Sequence, residues 1–330
     1  MNARGVLSRA PSARPVTTRP YAGIVRLVSL LPSATEIVYA LGLGDDLAGV
    51  TFECDEPPAA RAEKTVVVGG LDTSGMTPGD IDRYVHAQLA SGQDLYTLHA
   101  QALAELEPDL ILTQDLCRVC AIPSGQVSDA LEYLGCHADV LTLDPHSLDE
   151  VLDSILAVGQ RAGVAERAAR LVAGLRDRLS RIAASVAGLG SPAVAVLEWI
   201  DPPFTAGHWV PDLVTAAGGR PVAVAGTGVG AASVAAVPGA ASVETDWAAV
   251  AAAAPDLVVV APCGYHLPDA IEQARFAARA LPDVPVWAID ADGIVVRPGP
   301  RLVDGVESLA SILHPQAVPP APPGAVHRVR

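Results

Sequence analysis

The sequence predicts an α/β protein: two Rossmann-like lobes with parallel sheets, joined by a long backbone helix. Three observations lead there. Apolar strand-like runs alternate with amphipathic helical segments through both halves, the pattern of βαβ units. The segments "ALAELEPDLILTQDLC" and "AAVAAAAPDLVVVAPC" repeat one order in the two halves: helix, Pro-Asp-Leu turn, apolar strand, cysteine. Between the halves, Ser147 to Gly188 keep helical apolar spacing with no proline. At 330 residues the chain also exceeds the size at which one core usually stops growing.

Residues 1–23 carry Arg4, Arg9, Arg14 and Arg19, no carboxylate and no continuous apolar segment. They read as a disordered Arg-rich tail; a targeting peptide is the alternative, and a secretory signal lacks its apolar core. The expected compartment is therefore the cytoplasm, where cysteines stay reduced. A misassigned start would make it periplasmic or extracellular.

The first lobe is expected over 24–146. "IVRLVSLLPSATEIVYALGLG" reads as strand, turn and helix, with Ser33 and Glu36 spaced as a capping box and Gly42 as the stop. "LAGVTFEC" is a second strand ending at Cys54. "IDRYVHAQLASG" and "VSDALEYLGC" are helical, "DLILTQ" and "ADVLTL" extended. The connecting helix covers 147–188, with Gly159 and Gly163 as places where it could bend. The second lobe, 189–315, opens with the strand "PAVAVLEWI" and the short helix in "HWVPDLVTAAGG". "VPVWAI" and "GIVV" read as short strands before the closing helix "RLVDGVESLASIL". Residues 316–330 read as a proline-rich tail.

The net charge of −15 argues against nucleic acid and anionic membrane surfaces as partners, and no run approaches a spanning helix. Ligands of open parallel sheets bind beyond the carboxyl ends of the strands. Only thirteen aromatic residues exist, yet Trp199, Phe204 and Trp209 fall within "EWIDPPFTAGHW". They could wall a large flat ligand or simply pack a loop. Asp201 and His208 share that loop, and Tyr96 and Tyr265 join the candidate set. The helix start at Ser33 offers backbone N–H groups, while Arg297 and Arg301 could donate to ligand amides or carboxylates. "GTGVG" lacks the Lys-Ser/Thr of a phosphate loop, and no Ser/His/Asp or paired-carboxylate signature stands out.

Cys54, Cys117, Cys120 and Cys263 also follow predicted strands. With His208 or His266 they could supply four soft ligands to a metal; small buried core residues are the competing reading. A thioredoxin-like dithiol is disfavoured, because Pro123 and Gly125 intervene before the next helix.

"RLVSLLPSATEIVYALGLGDDLAGVTFECDEPP", "PDLILTQDLCRVCA", "DPPFTAGHWVPDLVTAAGG", "PDLVVVAPCGYH" and "RPGPRLVDGVESLA" resemble the cobalamin-binding branch of the substrate-binding proteins of ABC importers. The similarity runs from about Ile24 to Pro315. It implies the class III arrangement: two α/β lobes, a backbone helix, and cobalamin or a related corrinoid or metal chelate between lobes that hinge little. It implies binding rather than turnover, and an ABC permease as partner. In this reading the ligand stacks on Trp199, Phe204 and Trp209. Ser33, Arg297 and Arg301 hold its polar edge, and His208 or a cleft thiolate ligates its metal. Two departures stand out. No export signal is visible, and the local matches to the family's two docking glutamates are Gln101 and Ala248. A cytoplasmic metalloprotein or enzyme, with cysteines holding an iron–sulfur cluster or zinc, is the alternative.

Overall fold

The computed structural model describes residues 25–73, 75–116, 122, 124–134, 137–227 and 239–330. The Arg-rich segment and the Cys117–Cys120 pair lie outside the described residues.

The first lobe follows the predicted alternation. In order it contains β1 (Leu27–Ser29), α1 (Pro32–Ala40), β2 (Leu47–Thr51), α2 (Ala59–Glu63), β3 (Thr65–Gly70) and α3 (Pro78–Ala90). Then come β4 (Tyr96–Leu98), α4 (Ala100–Glu105), β5 (Leu110–Thr113), α5 (Ser124–Leu134) and β6 (Asp139–Thr142). The sheet order is β4-β3-β2-β1-β5-β6. All neighbours are parallel except β4, which lies antiparallel on β3. β1 and β5 are buried along their whole length, as strands covered on both faces must be. β3 and β4 were not singled out from the sequence; the antiparallel edge strand is only three residues long.

The capping box at Ser33 and Glu36 does not form. Leu31 is the N-cap, Pro32 takes the first helical turn, and Ser33 is already inside the helix. Glu36 turns instead toward the other lobe. The box exists at α3, where Thr77 accepts from the Asp80 N–H and Asp80 accepts from the Thr77 N–H.

The single connecting helix over 147–188 is also corrected. It is two helices, α6 (Leu148–Arg161) and α7 (Ala165–Val186), turned back on each other at Gly163, whose φ of +74° suits glycine. The two pack closely: a Cβ on Gly159 would lie 2.3 Å from the Ala168 Cβ. α6 also packs into both cores, Leu148 and Val151 in the second and Leu152 and Ile155 in the first, while the chain passes from lobe to lobe through α7. Its 22 residues span about 33 Å. Ala168, Val172 and Leu175 enter the first lobe's core, Ile182 enters the second's, and Leu179 touches both.

The second lobe begins with β7 (Ala193–Ile200), β8 (Pro203–Thr205), α8 (Val210–Ala216), β9 (Arg220–Pro221) and β10 (Val243–Glu244). It continues with α9 (Trp247–Ala252), β11 (Leu257–Val260), α10 (Leu267–Ala280), β12 (Val286–Ile289), α11 (Ala291–Ile294), α12 (Leu302–Leu313) and β13 (Val326–Arg328). The path is β10-β8-β7-β11-β12-β13, with β9 beside β7. The centre β7-β11-β12 is parallel, while β8, β10 and β13 are antiparallel. One expectation fails here. "GIVV" is no strand: Gly293 and Ile294 lie in α11, whose backbone packs under α12. The proline-rich C-terminal tail also carries a strand the sequence reading did not include. β13 adds to the edge of β12, with Val326 and Val329 packed against core side chains.

Candidate functional site

The carboxyl ends of β2, β7, β11 and β12 meet between the lobes. What they bring together is chiefly a charge network. Arg297 of the second lobe donates from Nη1 to Asp55 Oδ1 of the first at 2.6 Å, and from Nη2 to Asp292 Oδ2 at 2.8 Å. Arg301 grips Glu36 with two bonds, Nε to Oε2 at 2.9 Å and Nη2 to Oε1 at 2.7 Å. The fork geometry of guanidinium on carboxylate makes this the strongest of the ion-pair types. His266 lies between Asp290 (Nδ1 to Oδ1, 2.8 Å) and Asp55 (Nε2 to Oδ2, 3.1 Å). Arg297 and Glu36 are 9% and 5% exposed, so these are not ordinary surface pairs.

The network sets its own protonation. Hydrogen bonds to Asp290 and Asp55 raise His266 to about 10, so it is a cation with both ring nitrogens donating. Asp55 is desolvated, yet His266 and Arg297 hold it well below the usual carboxylate range. Burial pushes Glu36 up, opposed by the Arg301 hydrogen bonds. Glu53, beside them, rises to about 7, through burial first and then the negative charge of Asp292.

A pH dependence follows. His266 has a folded value above its unfolded one, so its contribution is full below about pH 6.5 and is lost as pH rises through about 10. Its side chain is 47% exposed, so screening limits the effect to about 1 kcal/mol. The melting midpoint should fall by about 2–4 °C across that window, and His266→Gln should flatten the slope. Melts of both proteins at several pH values check this; equal slopes would remove the clamp role of His266.

Aromatic residues flank the network. Phe52 and Tyr96 pair in the first lobe at 6.3 Å between ring centroids, and Trp199 and Tyr265 in the second at 5.8 Å. Phe52, Trp199 and Tyr265 sit at or beyond strand carboxyl ends, and Tyr96 opens the antiparallel β4 opposite Gly70, the last residue of β3, which puts it on the same sheet edge. Sequence reading missed Phe52, although its place one residue beyond β2 could have marked it. The indole N–H of Trp199 is buried and has no hydrogen-bond partner among the described residues. Phe204 lies on β8 directly opposite Trp199. Asp201 reaches across to the start of α3, where a Cβ on Gly79 would lie 2.7 Å from its Oδ2.

Other expected residues go elsewhere. Trp209 is no cleft wall: it is 6% exposed, packs in the second core, and donates its N–H to the Val295 carbonyl at 2.9 Å. Ser33 is buried, with Gly299 close to its carbonyl. Arg297 and Arg301 face protein carboxylates rather than an open edge. His208 has φ +51°, donates its N–H to the Ala240 carbonyl, and rests its ring near His146 and Trp209. Burial, then His146, lowers its pKa, so the imidazole is neutral near pH 7.

The cysteine-held metal is not supported. Cys54 is buried in the first core, its Sγ within hydrogen-bonding distance of the Thr35 and Thr51 hydroxyls, and burial pushes the thiol up. That is the packed-core reading. Cys263 is exposed after β11. His266 is doubly hydrogen-bonded to carboxylates and protonated, with no lone pair for a metal. No group of three or more His, Cys, Asp or Glu among the described residues is arranged to hold a metal ion. An open groove of about 440 Å³ runs along α7 beside Leu171 and Arg181, but its Arg178 is already paired with Asp304 and Glu307. No helix of the described residues is long and apolar enough to cross a membrane.

Two α/β lobes bridged by a helical pair, with aromatic pairs and a charge clamp where they meet, define a two-lobed ligand-binding protein. The chain belongs to the periplasmic binding protein family, which matches residues 27–288. It is 26% identical over 305 residues to an uncharacterized ABC transporter substrate-binding lipoprotein of Bacillus subtilis, covering 88% of this chain and 80% of that protein. It is 26% identical over 198 residues to a vitamin B12-binding protein of Vibrio cholerae, 59% of each chain. A periplasmic heme binding protein from Pseudomonas aeruginosa has the same fold, with a TM-score of 0.67 at 22% identity, covering 92% of this chain and 97% of that one. Family members are binding proteins rather than enzymes. The cytoplasmic expectation is overturned: the family is periplasmic and the Bacillus relative is a lipoprotein, which points outside the cytoplasm.

Proposed function

We propose that this protein is the substrate-binding component of an ABC importer and holds cobalamin or a related corrinoid between its lobes. The observation that carries the reading is the pair of aromatic contacts, Phe52–Tyr96 and Trp199–Tyr265, one on each lobe at the sheet edge that faces the other lobe. Such walls suit a large flat ligand with apolar faces. The relationship to vitamin B12-binding proteins supports the ligand class. The action is binding without turnover. The lobes stay joined by α7 and the charge network, so the cleft needs little hinge motion, and the complex then docks on a permease. His208 rests beside His146 and the buried Trp209 rather than in the aromatic pairs, and its neutral imidazole is only a candidate ligand for the corrinoid metal. Chemistry held by cleft cysteines has no support in the described residues.

A visible-absorption titration with aquocobalamin, paired with equilibrium dialysis, tests this. Wild type should bind saturably, and Trp199→Ala should bind about tenfold more weakly or worse. A spectral shift lost in His208→Ala would assign the metal ligand. No retention of cobalamin by wild type would end the corrinoid reading.

A further inference from the structure

The charges between the lobes do not balance. Six carboxylates (Glu36, Glu53, Asp55, Glu56, Asp290 and Asp292) surround three cations, Arg297, Arg301 and His266. The cations are committed. Arg301 is held on Glu36 by two bonds, Arg297 on Asp55 and Asp292, and His266 on Asp55 and Asp290. Glu53 has no such cation to itself, and its side chain is hydrogen-bonded with Tyr96 of the first aromatic pair; Asp292 accepts the Gly264 N–H beside Tyr265. The surplus negative charge therefore adjoins both aromatic pairs.

We propose that this carboxylate surplus selects the ligand by charge: the cleft accepts a corrinoid whose rim carries amides and rejects a ring whose rim carries carboxylates. This rests on the reading of the cleft as a corrinoid site and adds its specificity. A ligand carboxylate could reach a guanidinium only by displacing a protein carboxylate, leaving that group desolvated and unpaired. It would also face Glu53 across a low-dielectric cleft. A ligand amide meets neither obstacle. Its NH2 can donate to a free lone pair of the Glu53 carboxylate, and its carbonyl can accept from the Trp199 indole N–H, which has no partner among the described residues.

The test compares cobalamin with its monocarboxylic acid, the same ring with one peripheral amide hydrolysed, by equilibrium dialysis at low salt and about pH 8. The acid should bind about tenfold more weakly or worse. The gap should narrow in about 0.5 M salt and in Glu53→Gln. Glu53 titrates at about 7, so the gap should also narrow in wild type as pH falls below that value. This last comparison needs no variant to fold. Equal affinity for amide and acid, with cobalamin still bound, would overturn the charge selection and leave the corrinoid reading standing. Tight binding of haem, which carries two carboxylates, with no binding of cobalamin would overturn both. Binding of neither would end the corrinoid reading and the selection built on it.

Discussion

Arg297→Ala should destabilise the protein by about 3–5 kcal/mol and loosen the lobes from each other. The reason is asymmetry. The intact pair has already met its desolvation cost through bonds to Asp55 and Asp292. Removing the cation leaves those carboxylates, and Glu36 at 3.6 Å, close together without it. Arg297→Lys keeps the charge but loses the planar fork, so it should recover part of the loss. Urea denaturation measures the stability, and solution scattering measures the lobe separation. A stable, compact Arg297→Ala protein would mean that α7 and the lobe contacts alone hold the lobes, and the network would lose its structural role.

Gly305→Ala should cost about 3 kcal/mol, although alanine is the better helix former by about 1 kcal/mol. Gly305 lies inside α12, and a Cβ there would come within 2.1 Å of the Ile294 carbonyl oxygen. That atom is backbone and cannot swing aside, so α11 and α12 would have to separate. Gly174→Ala is the matched control. It is inside α7, nothing lies within 4 Å of its built Cβ, and it should stabilise by up to about 1 kcal/mol. Thermal melts of the two variants should move in opposite directions; a neutral Gly305→Ala would mean that the helices have room to spare.

Much of the architecture was legible because it depends on local periodicity. The apolar runs at Leu110–Thr113 and Leu257–Val260, each after a Pro-Asp-Leu or Pro-Asp turn, became central strands of the two lobes. The errors have physical causes. Gly163 marks a place to bend, but helical spacing through 147–188 could not show a full reversal there, because both helices keep an apolar stripe for the same cores. The proline-rich tail carried no strand signal, because β13 exists only by pairing with β12. Of the candidate aromatics, Trp199 and Tyr265 do lie against each other, but Trp209 packs in the core: an aromatic residue beside a loop reads the same whether it faces the cleft or the core. Glu36 was read as a cap, since nothing local announces a partner 265 residues away.

The sequence by itself determined the two-lobed α/β plan, the doubling of the lobe and which strand ends gather the candidate site, since these follow from apolar spacing along neighbouring residues. Only the tertiary structure decided what stands at those ends. Arg297, Arg301 and His266 find carboxylates, because partly buried charges must find partners, and the first-lobe ones, Asp55 and Glu36, lie more than 200 residues away in sequence.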